Sequence, residues 1–214
     1  TVIPSNRFIL PVDSSKMLEQ GIVEPENAEM IDAPMEWSVP AGQQNKSALV
    51  QLDILSAFEW ERPIYFVTGG NEGALNLESF FRKEGLAFRL VPVSTPGGNF
   101  FSYGRIDPEI LHENLMNDFS WGRMNEEDVY LDYYNRRTLS VIQFRNNYLR
   151  LAREWLSRGD TAKTIEVLDR CMELSPNDKY PYDYYISGLV YPGNEGGEIE
   201  YPGIIETYYE AGEV

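Results

Sequence analysis

Short apolar runs separated by turn residues fill the first half of the chain, a pattern typical of a small sheet. Residues 8–12 predict one strand, and over Met35–Val39 apolar and polar residues alternate as they do along a half-buried strand. The run of residues 64–67, Ile-Tyr-Phe-Val, lies between proline and glycine residues and predicts a buried strand. Residues 86–93 predict another strand, so the first half is expected to carry about four.

Two helices are predicted between the last three of these strands. Ser47 can cap the first helix, whose apolar residues spread over one broad face. Those residues are Leu49, Val50, Leu52, Ile54, Leu55 and Phe58. Leu75–Lys83 predicts the second helix, and Gly85 is expected to end it. Strand, helix and strand form a βαβ unit, so the strands on either side of the second helix are predicted to be parallel.

The second half has the periodicity of helices, and residues 145–178 match one complete tetratricopeptide-like helix pair. Residues 130–157 and 162–174 predict the helices. The residues that fit the spacing of this roughly 34-residue repeat are Tyr148, Leu151, Ala152, Trp155, Gly159, Leu168 and Pro176. Residues 188–203 predict an insertion, and residues 201–214 resemble a partial second repeat. A unit of this kind cannot bury its own apolar face, so it is expected to pack on a neighbour.

The predicted fold class is therefore α+β, with a small mixed α/β domain followed by an all-α, tetratricopeptide-like domain. The α/β domain is predicted at residues 1–104 and the helical domain at residues 105–214. Ser94–Gly104 carries the sequence Pro-Gly-Gly-Asn and predicts the connection between them. Asp107 and Pro108 are suited to the cap and first position of a helix, so the helical domain is expected to begin there.

Composition and charge restrict the class of partner. The chain has 43% hydrophobic residues and a net charge of −16, so it is expected to fold and to repel phosphate backbones. Nucleic acid is therefore not an expected partner. No apolar run approaches the roughly 20 residues that cross a bilayer, so the chain is not expected to span a membrane. Because the chain begins with Thr1 and carries no signal peptide, it is predicted to be a piece of a longer protein.

Residues suited to catalysis or metal binding are few. Cys171 is the only cysteine and is expected to be a buried structural thiol. His112 is the only histidine, so no zinc site of ordinary spacing can be built and a solvated or capped imidazole is expected. The glycine-rich turn at residues 68–73 lacks the Lys-Ser/Thr pair of a P-loop and is expected to be a plain turn. The sequence predicts no catalytic residue, metal or cofactor.

Trp60 and Arg62 form one candidate binding site. They stand at a corner before Pro63, with three acidic residues nearby, Asp53, Glu59 and Glu61. Aromatic rings mixed with carboxylates are typical of sugar-binding and glycosidase sites. The competing interpretation is a solvated helix face in which Arg62 makes an ion pair.

A second candidate site lies on the first helix of the predicted repeat. The spacing places Asn146, Leu149 and Arg153 on the face that lines the concave groove of such repeats. In this acidic chain Arg153 can hold a carboxylate, and Asn146 can bond a peptide main chain. Packing of this face against the α/β half is an equal alternative.

Two segments resemble a family of membrane proteins. One includes residues 60–66, Trp-Glu-Arg-Pro-Ile-Tyr-Phe, and continues at residues 84–92; the other covers residues 151–177. Both are similar to the soluble C-terminal region of the membrane proteins grouped as domain of unknown function 2723, common in Bacteroidetes. That family resembles the C-type glycosyltransferases and has an animal relative that is a protein O-mannosyltransferase. The resemblance implies that catalysis belongs to the membrane part and that this region is periplasmic, on the extracytoplasmic side of the inner membrane.

Together these observations predict a non-catalytic extracytoplasmic interaction domain that positions an acceptor or a partner for a membrane-embedded glycosyltransferase. The expected partner is a protein or peptide, including the membrane part of the same protein, or a glycan. Two alternatives stay open. One is a carbohydrate-binding or hydrolytic module centred on Trp60 and Arg62, and the other is a purely structural brace or dimerisation module.

Overall fold

The computed structural model describes residues 6–39, 45–67, 75–95, 104–132, 142–176 and 178–180, together with Ala211. The chain divides into two compact units, Thr1–Asp107 and Pro108–Val214, called here the first and the second unit. The first unit contains two sheets and short helices, and the described elements of the second are helices. This architecture confirms the predicted α+β class.

A two-stranded antiparallel sheet opens the first unit. Strand β1, Arg7–Leu10, pairs with β2, Met35–Ser38, and Phe8 lies opposite Trp37. Both strands were expected from the sequence and are confirmed. The segment between them holds helix α1, Ser14–Glu19, and a 3-10 helix, Pro25–Met30, neither of which the sequence predicted.

A four-stranded sheet forms the rest of the first unit. Its strands are β3, Tyr65–Val67; β4, Phe81–Lys83; β5, Ala87–Leu90; and β6, Arg105–Ile106. They lie in the order β3-β5-β4-β6, and only the β4–β6 pair is parallel. The predicted βαβ unit is therefore wrong, because β3 pairs with β5 in the antiparallel direction.

The helix predicted over residues 75–83 is also wrong. Leu75 and Asn76 have φ values of 52° and 62°, a left-handed conformation that does not propagate a right-handed helix. One 3-10 turn follows at Glu78–Phe80, and the chain then continues into β4. Pairing with β5 satisfies the main chain of β4, so it does not need the hydrogen bonds of a helix.

Helix α2, Lys46–Ser56, is present but buries a narrower face than predicted. Asn45 caps it in place of Ser47, because the Asn45 side chain accepts a hydrogen bond from the main-chain N–H of Ala48 at 2.8 Å. Ala48 and Leu55 are buried. Val50 and Ile54, which were expected to face inward, are 58% and 53% exposed.

A buried ion cluster ties β4 to the segment before the 3-10 helix. The side chain of Arg82 is 1% exposed and donates to the carbonyl oxygen of Ile22 at 3.0 Å. It also donates to Glu24 Oε1 at 2.5 Å and to Glu84 Oε1 at 2.5 and 2.9 Å. Asp107 Oδ2 lies 3.9 Å from the guanidinium. The buried cation is therefore compensated by carboxylates, as burial of charge requires.

Replacement of Glu24 by Gln is expected to reduce the loss of stability of the first unit in acid. Burial raises the pKa of Glu24, but hydrogen bonding with Asp107 and the Arg82 charge outweigh burial and hold the pKa below its usual value. Stability from such a carboxylate is present above the unfolded pKa of 4.5 and is lost as the pH falls through the folded pKa.

Urea unfolding between about pH 3 and 6 measures this effect, since the slope of stability with pH reports bound protons. Glu24→Gln should lose less stability than the parent chain over that range. Glu29→Gln, a change at an exposed residue of the same segment, is the matched control and should leave the slope unchanged. Equal slopes in the parent and Glu24→Gln would contradict the prediction.

The second unit is built from helices. Helix α3, Pro108–Glu113, begins at the predicted proline and continues into one wide π-helical turn at Asn114–Asp118. Helices α4, Ile142–Ser157, and α5, Thr161–Leu174, lie where the sequence predicted a helix pair, and they pack against each other. Asp160 caps α5 by accepting from the N–H of Lys163 at 3.0 Å.

Polar bonds fix the ends of this helix pair. The buried Arg145 guanidinium donates to the carbonyl oxygens of Ser175 at 2.8 Å and Tyr180 at 2.5 Å, just beyond α5. Tyr180 in turn donates its hydroxyl to the carbonyl oxygen of Met124 at 2.5 Å. Tyr148 donates to the carbonyl oxygen of Leu115 at 2.8 Å, which joins α4 to the π-helical turn.

Several predicted features lie outside the described residues. These are the glycine-rich turn at 68–73, residues 133–141 of the predicted first repeat helix, the insertion at 188–203 and, apart from Ala211, the partial second repeat at 201–214. Across the described part of the chain, none of the helices has the length and apolar character that a bilayer crossing requires.

Candidate functional site

An open polar groove lies on the surface of the first unit, beside β2. Its volume is about 520 Å³, within the range of roughly 300–1,000 Å³ that is common for small-molecule sites. Nine residues line it: Asp32, Pro34, Glu36, Trp37, Ser38, Asn76, Ser79, Phe80 and Ser94.

The free edge of β2 forms one wall of the groove. The N–H of Val39 donates to the carbonyl oxygen of Asn6 at 2.8 Å, so this pair is hydrogen-bonded across the sheet. Antiparallel pairs alternate, and the main-chain groups of Glu36 and Ser38 therefore point away from β1. The Asn76 amide confirms this direction, because its Nδ2 donates to the carbonyl oxygen of Ser38 at 2.9 Å.

Residues 76–80 form the opposite wall, and the segment after β5 holds them in place. The N–H and hydroxyl of Thr95 both donate to the carbonyl oxygen of Ser79, at 2.8 and 3.1 Å. The N–H of Val91 donates to the carbonyl oxygen of Phe80 at 3.0 Å. Main-chain bonds thus fix this wall even though it contains only one 3-10 turn.

Asp32 closes the groove at a third side. Its N–H donates to the carbonyl oxygen of Pro92 at 2.8 Å, and its Oδ2 accepts from the N–H of Ser94 at 2.8 Å. These two bonds clamp the segment before β2 to the segment after β5. The Asp32 carboxylate is thereby held at the groove while one of its oxygens is already engaged.

The charged residues of the lining are both acidic. Asp32 and Glu36 supply the carboxylates, and none of the described lining residues is a lysine or arginine. Glu36 pairs with the exposed side chain of Arg7 on β1. The groove therefore disfavours anions, and each of its two carboxylates has a partner in the structure.

The side chain of Trp37 lies in the core beside the groove. The residue is 8% exposed, and its ring stacks on Phe8 with centroids 5.5 Å apart. Within the described residues the indole Nε1 is buried and has no acceptor. An indole N–H can only donate, and this one is enclosed in the core and does not open onto the groove.

The arrangement is suited to binding. Three serine hydroxyls and the Asn76 amide offer donors and acceptors in a lining that is mostly polar. Among the residues that the structure describes, no group of three or more His, Cys, Asp or Glu side chains is arranged to hold a metal ion.

The predicted site at Trp60 and Arg62 is not formed as expected. Trp60 is 5% exposed, and its Nε1 donates to the carbonyl oxygen of Pro11 at 2.9 Å. Its ring packs against Phe58 with centroids 4.6 Å apart, so it belongs to the core and offers no open face to a sugar. Arg62 is exposed, so the structure buries one of the two predicted residues and leaves the other accessible.

The three residues predicted on the repeat are also not presented together. Asn146 and Leu149 are each 8% exposed, whereas Arg153 is exposed. Because α4 buries residues on more than one face, the two side chains nearer its start are enclosed in the second unit. Only Arg153 of this set is accessible to a partner.

His112 is half-buried, where a solvated or capped imidazole was expected. Its ring meets Trp155 edge-on with centroids 6.0 Å apart. Its Nδ1 is buried and has no hydrogen-bond partner among the described residues. The contact with Trp155 explains the burial, since the ring adds to the apolar packing of α3 against α4.

Cys171 is buried as expected and should resist thiol reagents. Burial raises the pKa of its thiol to about 12, although Arg145 and Ser175 act in the opposite direction. The reactive thiolate is scarce and enclosed, so native labelling by a disulfide reagent is expected to be at least about 100-fold slower than labelling of the denatured chain. Absorbance of the released thiol measures both rates, and similar rates would contradict the assignment.

No direct signal for the groove is present in the sequence. The alternation over residues 35–38 predicted the strand that forms one wall. The other walls come from segments distant in sequence, so only the tertiary fold brings them together. One local feature of the structure also shapes the groove. Leu75 and Asn76 have a left-handed backbone, which places the Asn76 amide at the edge of β2.

Residues 1–110 match the family model described as TMEM260-associated domain 2. The matched region coincides closely with the first unit, which carries the groove. The match confirms the coarser part of the expected relationship, a domain associated with a membrane protein family. It provides no support for domain of unknown function 2723 or for tetratricopeptide repeats. No curated protein and no solved structure matches the chain.

Proposed function

Because the chain belongs to the TMEM260-associated domain 2 family, we propose that it is a non-catalytic interaction domain of a membrane protein. In this proposal the domain holds an acceptor or a partner beside machinery embedded in the membrane. The resemblance to the glycosyltransferase-like family of domain 2723 adds that this machinery transfers a sugar. The same resemblance puts the domain on the extracytoplasmic side of the membrane.

The observation that carries the proposal is the polar groove of the first unit. It is open and mixes donors with acceptors, and its two carboxylates already have partners in Ser94 and Arg7. This combination favours holding a ligand over activating a nucleophile, which requires a base aimed at the reacting group.

The helix pair of the second unit supports a role in docking. A two-helix unit of the tetratricopeptide type stacks on a neighbour, and Arg153 offers it an exposed cation in an acidic chain. In the proposal this unit contacts protein, namely a peptide or the membrane part of the same polypeptide, while the first unit holds the ligand.

Two measurements on the purified chain test this function. The chain is incubated with nitrophenyl glycosides and with nucleotide-linked and lipid-linked sugars, and no product is expected. Measurable turnover, removed by substitution of a groove carboxylate, would overturn the non-catalytic assignment.

The second measurement is retention of the detergent-solubilised membrane part of the same protein on the immobilised chain. Retention is expected, and an unrelated membrane protein in the same detergent is the control. Failure to retain the membrane part, together with a stable dimer in light scattering, would favour the structural alternative.

A further inference from the structure

We propose that the free edge of β2 binds a short, extended, basic segment of a protein partner, with a lysine or arginine side chain in the neighbouring groove. The inference deepens the proposed function, on which it rests, by giving the chemistry of the ligand that the first unit holds. It depends on the main-chain groups at the outer edge of β2, on the position of Asn76 at one end of that edge, and on the charge of the groove.

The edge of β2 that faces away from β1 has main-chain groups available to another strand. The bonded pair of Asn6 and Val39 sets the alternation, which places the N–H and carbonyl of Glu36 on the outer side. No described residue bonds either of these groups, and the sheet that contains β2 has two strands within the described part of the chain. An extended segment lying antiparallel beside Glu36 can therefore exchange two main-chain hydrogen bonds with it.

Asn76 limits the length of the available edge. Its Nδ2 donates to the carbonyl oxygen of Ser38 at 2.9 Å, the same bond that the N–H of an added strand makes at such a position. The added segment is therefore expected to be short, with one residue opposite Glu36. The groove of about 520 Å³ beside this edge gives room for the side chain of that residue.

The charge of the groove favours a basic segment. Asp32 and Glu36 bring two carboxylates, and the described lining contains no lysine or arginine. Asp32 accepts from the N–H of Ser94 through Oδ2, and no described residue bonds its other oxygen. A lysine or arginine side chain can donate to that oxygen. Because the whole chain carries a net charge of −16, an acidic segment is repelled.

The existing partner of Glu36 is exchangeable. Glu36 pairs with Arg7, and both side chains are exposed. Exposed ion pairs contribute little, so an incoming cation can share or replace Arg7 at small cost. A second copy of the chain is a poorer occupant, because two β2 edges would bring the acidic grooves of both copies together.

Titration of the full 214-residue chain with short peptides, followed in ¹H–¹⁵N NMR spectra, provides the test. The basic probe is the capped peptide Thr-Val-Lys-Val-Thr. One control peptide has glutamate in place of the lysine, and a second keeps the lysine but has a methyl group on its main-chain nitrogen. Each is added to roughly 5 mM, because a contact this small is expected to have a millimolar Kd.

The basic peptide is expected to shift the main-chain amide signal of Glu36 in a saturable manner, and less at high salt. The methylated peptide has the same charge but lacks the N–H that the Glu36 carbonyl accepts, so it should bind at least tenfold more weakly. The glutamate peptide should not bind. These comparisons separate strand pairing from general attraction between a cation and an acidic chain.

Two variants of the chain locate the binding at Glu36. Glu36→Gln keeps the main-chain N–H and removes the charge, so it is expected to weaken binding several-fold. Glu36→Pro also removes the N–H and is expected to weaken binding at least tenfold. Since this N–H points away from β1, the position is one at which an edge strand tolerates proline. Asp53→Asn, at an exposed residue of α2, removes one charge elsewhere and should have no effect.

Four results would overturn the inference: no saturable shift with the basic peptide, equal binding of the methylated peptide, equal binding of the glutamate peptide, or unchanged binding in Glu36→Pro. A dimer in light scattering that Glu36→Pro dissociates would also overturn it, because the edge would then be occupied by a second copy. If Glu36→Pro does not fold, the methylated peptide still tests the same strand pairing from the side of the ligand.

These results are separable from those that test the proposed function. If the basic peptide fails to bind but the membrane part is retained on the immobilised chain, the ligand chemistry is wrong and the interaction function stands. If the peptide binds at Glu36 and the membrane part is not retained, the ligand chemistry stands and the proposed docking to the membrane part falls.

Discussion

Replacing Arg82 by Ala is expected to lower the free energy of unfolding of the first unit by about 3–5 kcal/mol. The guanidinium is enclosed and neutralises Glu24 and Glu84, whose side chains are 25% and 8% exposed. Without it, Glu24 keeps Asn27 and the more distant Arg105 as partners, and Glu84 keeps Tyr65 and the more distant Arg89. Both carboxylates lose their closest cation, and the Ile22 carbonyl loses its donor. Removing the closest cation from enclosed carboxylates is far more costly than losing a surface ion pair.

The effect can be measured by urea unfolding, followed through the indole signals of Trp37 and Trp60, which both belong to the first unit. Arg7→Ala is the matched control, because it breaks the Arg7–Glu36 pair whose side chains are 64% and 39% exposed. We expect the control to cost no more than about 1 kcal/mol. If both variants cost the same small amount, the Arg82 cluster does not stabilise the unit.

The second large loss of stability is expected for the substitution Gly104→Ala. This glycine has a φ of 75°, and an added Cβ would lie 2.6 Å from the main-chain oxygen of Phe81. Gly104→Ala therefore combines a left-handed backbone, at about 1–2 kcal/mol, with a clash against a strand. Because overpacking adds about 1–3 kcal/mol, we expect a loss of about 3 kcal/mol in the same unfolding measurement.

The variant Gly21→Ala separates the cost of the left-handed backbone from the cost of the steric clash. Gly21 also belongs to the first unit and has a φ of 61°, but an added Cβ would meet nothing within 4 Å. This variant should show the backbone strain alone, about 1 kcal/mol. Equal losses in Gly21→Ala and Gly104→Ala would show that the close approach to Phe81 is relieved at no cost.

The elements that the sequence predicted well are those whose pattern is decided locally. The alternation of Met35 to Ser38 is that of a strand with one buried face, and the structure buries Met35 and Trp37. Helices α4 and α5 bury the residues that their periodicity marks, including Tyr148, Leu151 and Leu168. In these segments local preference and tertiary packing agree.

The failure at residues 75–83 has a different origin. Leu77, Phe80 and Phe81 have helical spacing, but Phe81 stacks on Phe88 of β5 with ring centroids 5.4 Å apart. Arg82 and Lys83 are both 1% exposed, whereas charged residues of an amphipathic helix normally face solvent. Strand pairing and compensation of the Arg82 charge involve partners elsewhere in the fold, and a local window cannot reveal them.

The candidate site was missed for the same reason. Trp60 has the appearance of an exposed aromatic at a corner, yet its indole N–H bonds the carbonyl oxygen of Pro11. Trp37 was assigned only to a strand, although its indole lacks an acceptor among the described residues and the residue lines the groove. The tertiary fold therefore decides which indole N–H finds a hydrogen-bond acceptor.

The bonds from Arg145 to Ser175 and Tyr180 determine how far the helical unit can be shortened. A chain truncated after Leu174 would keep α5 whole but would leave the buried guanidinium of Arg145, in α4, without both carbonyl acceptors. A chain truncated after Tyr180 would retain them, as well as the tether from the Tyr180 hydroxyl to Met124. The hydrogen bonds of Arg145 therefore require at least the six residues that follow the last helical turn of α5.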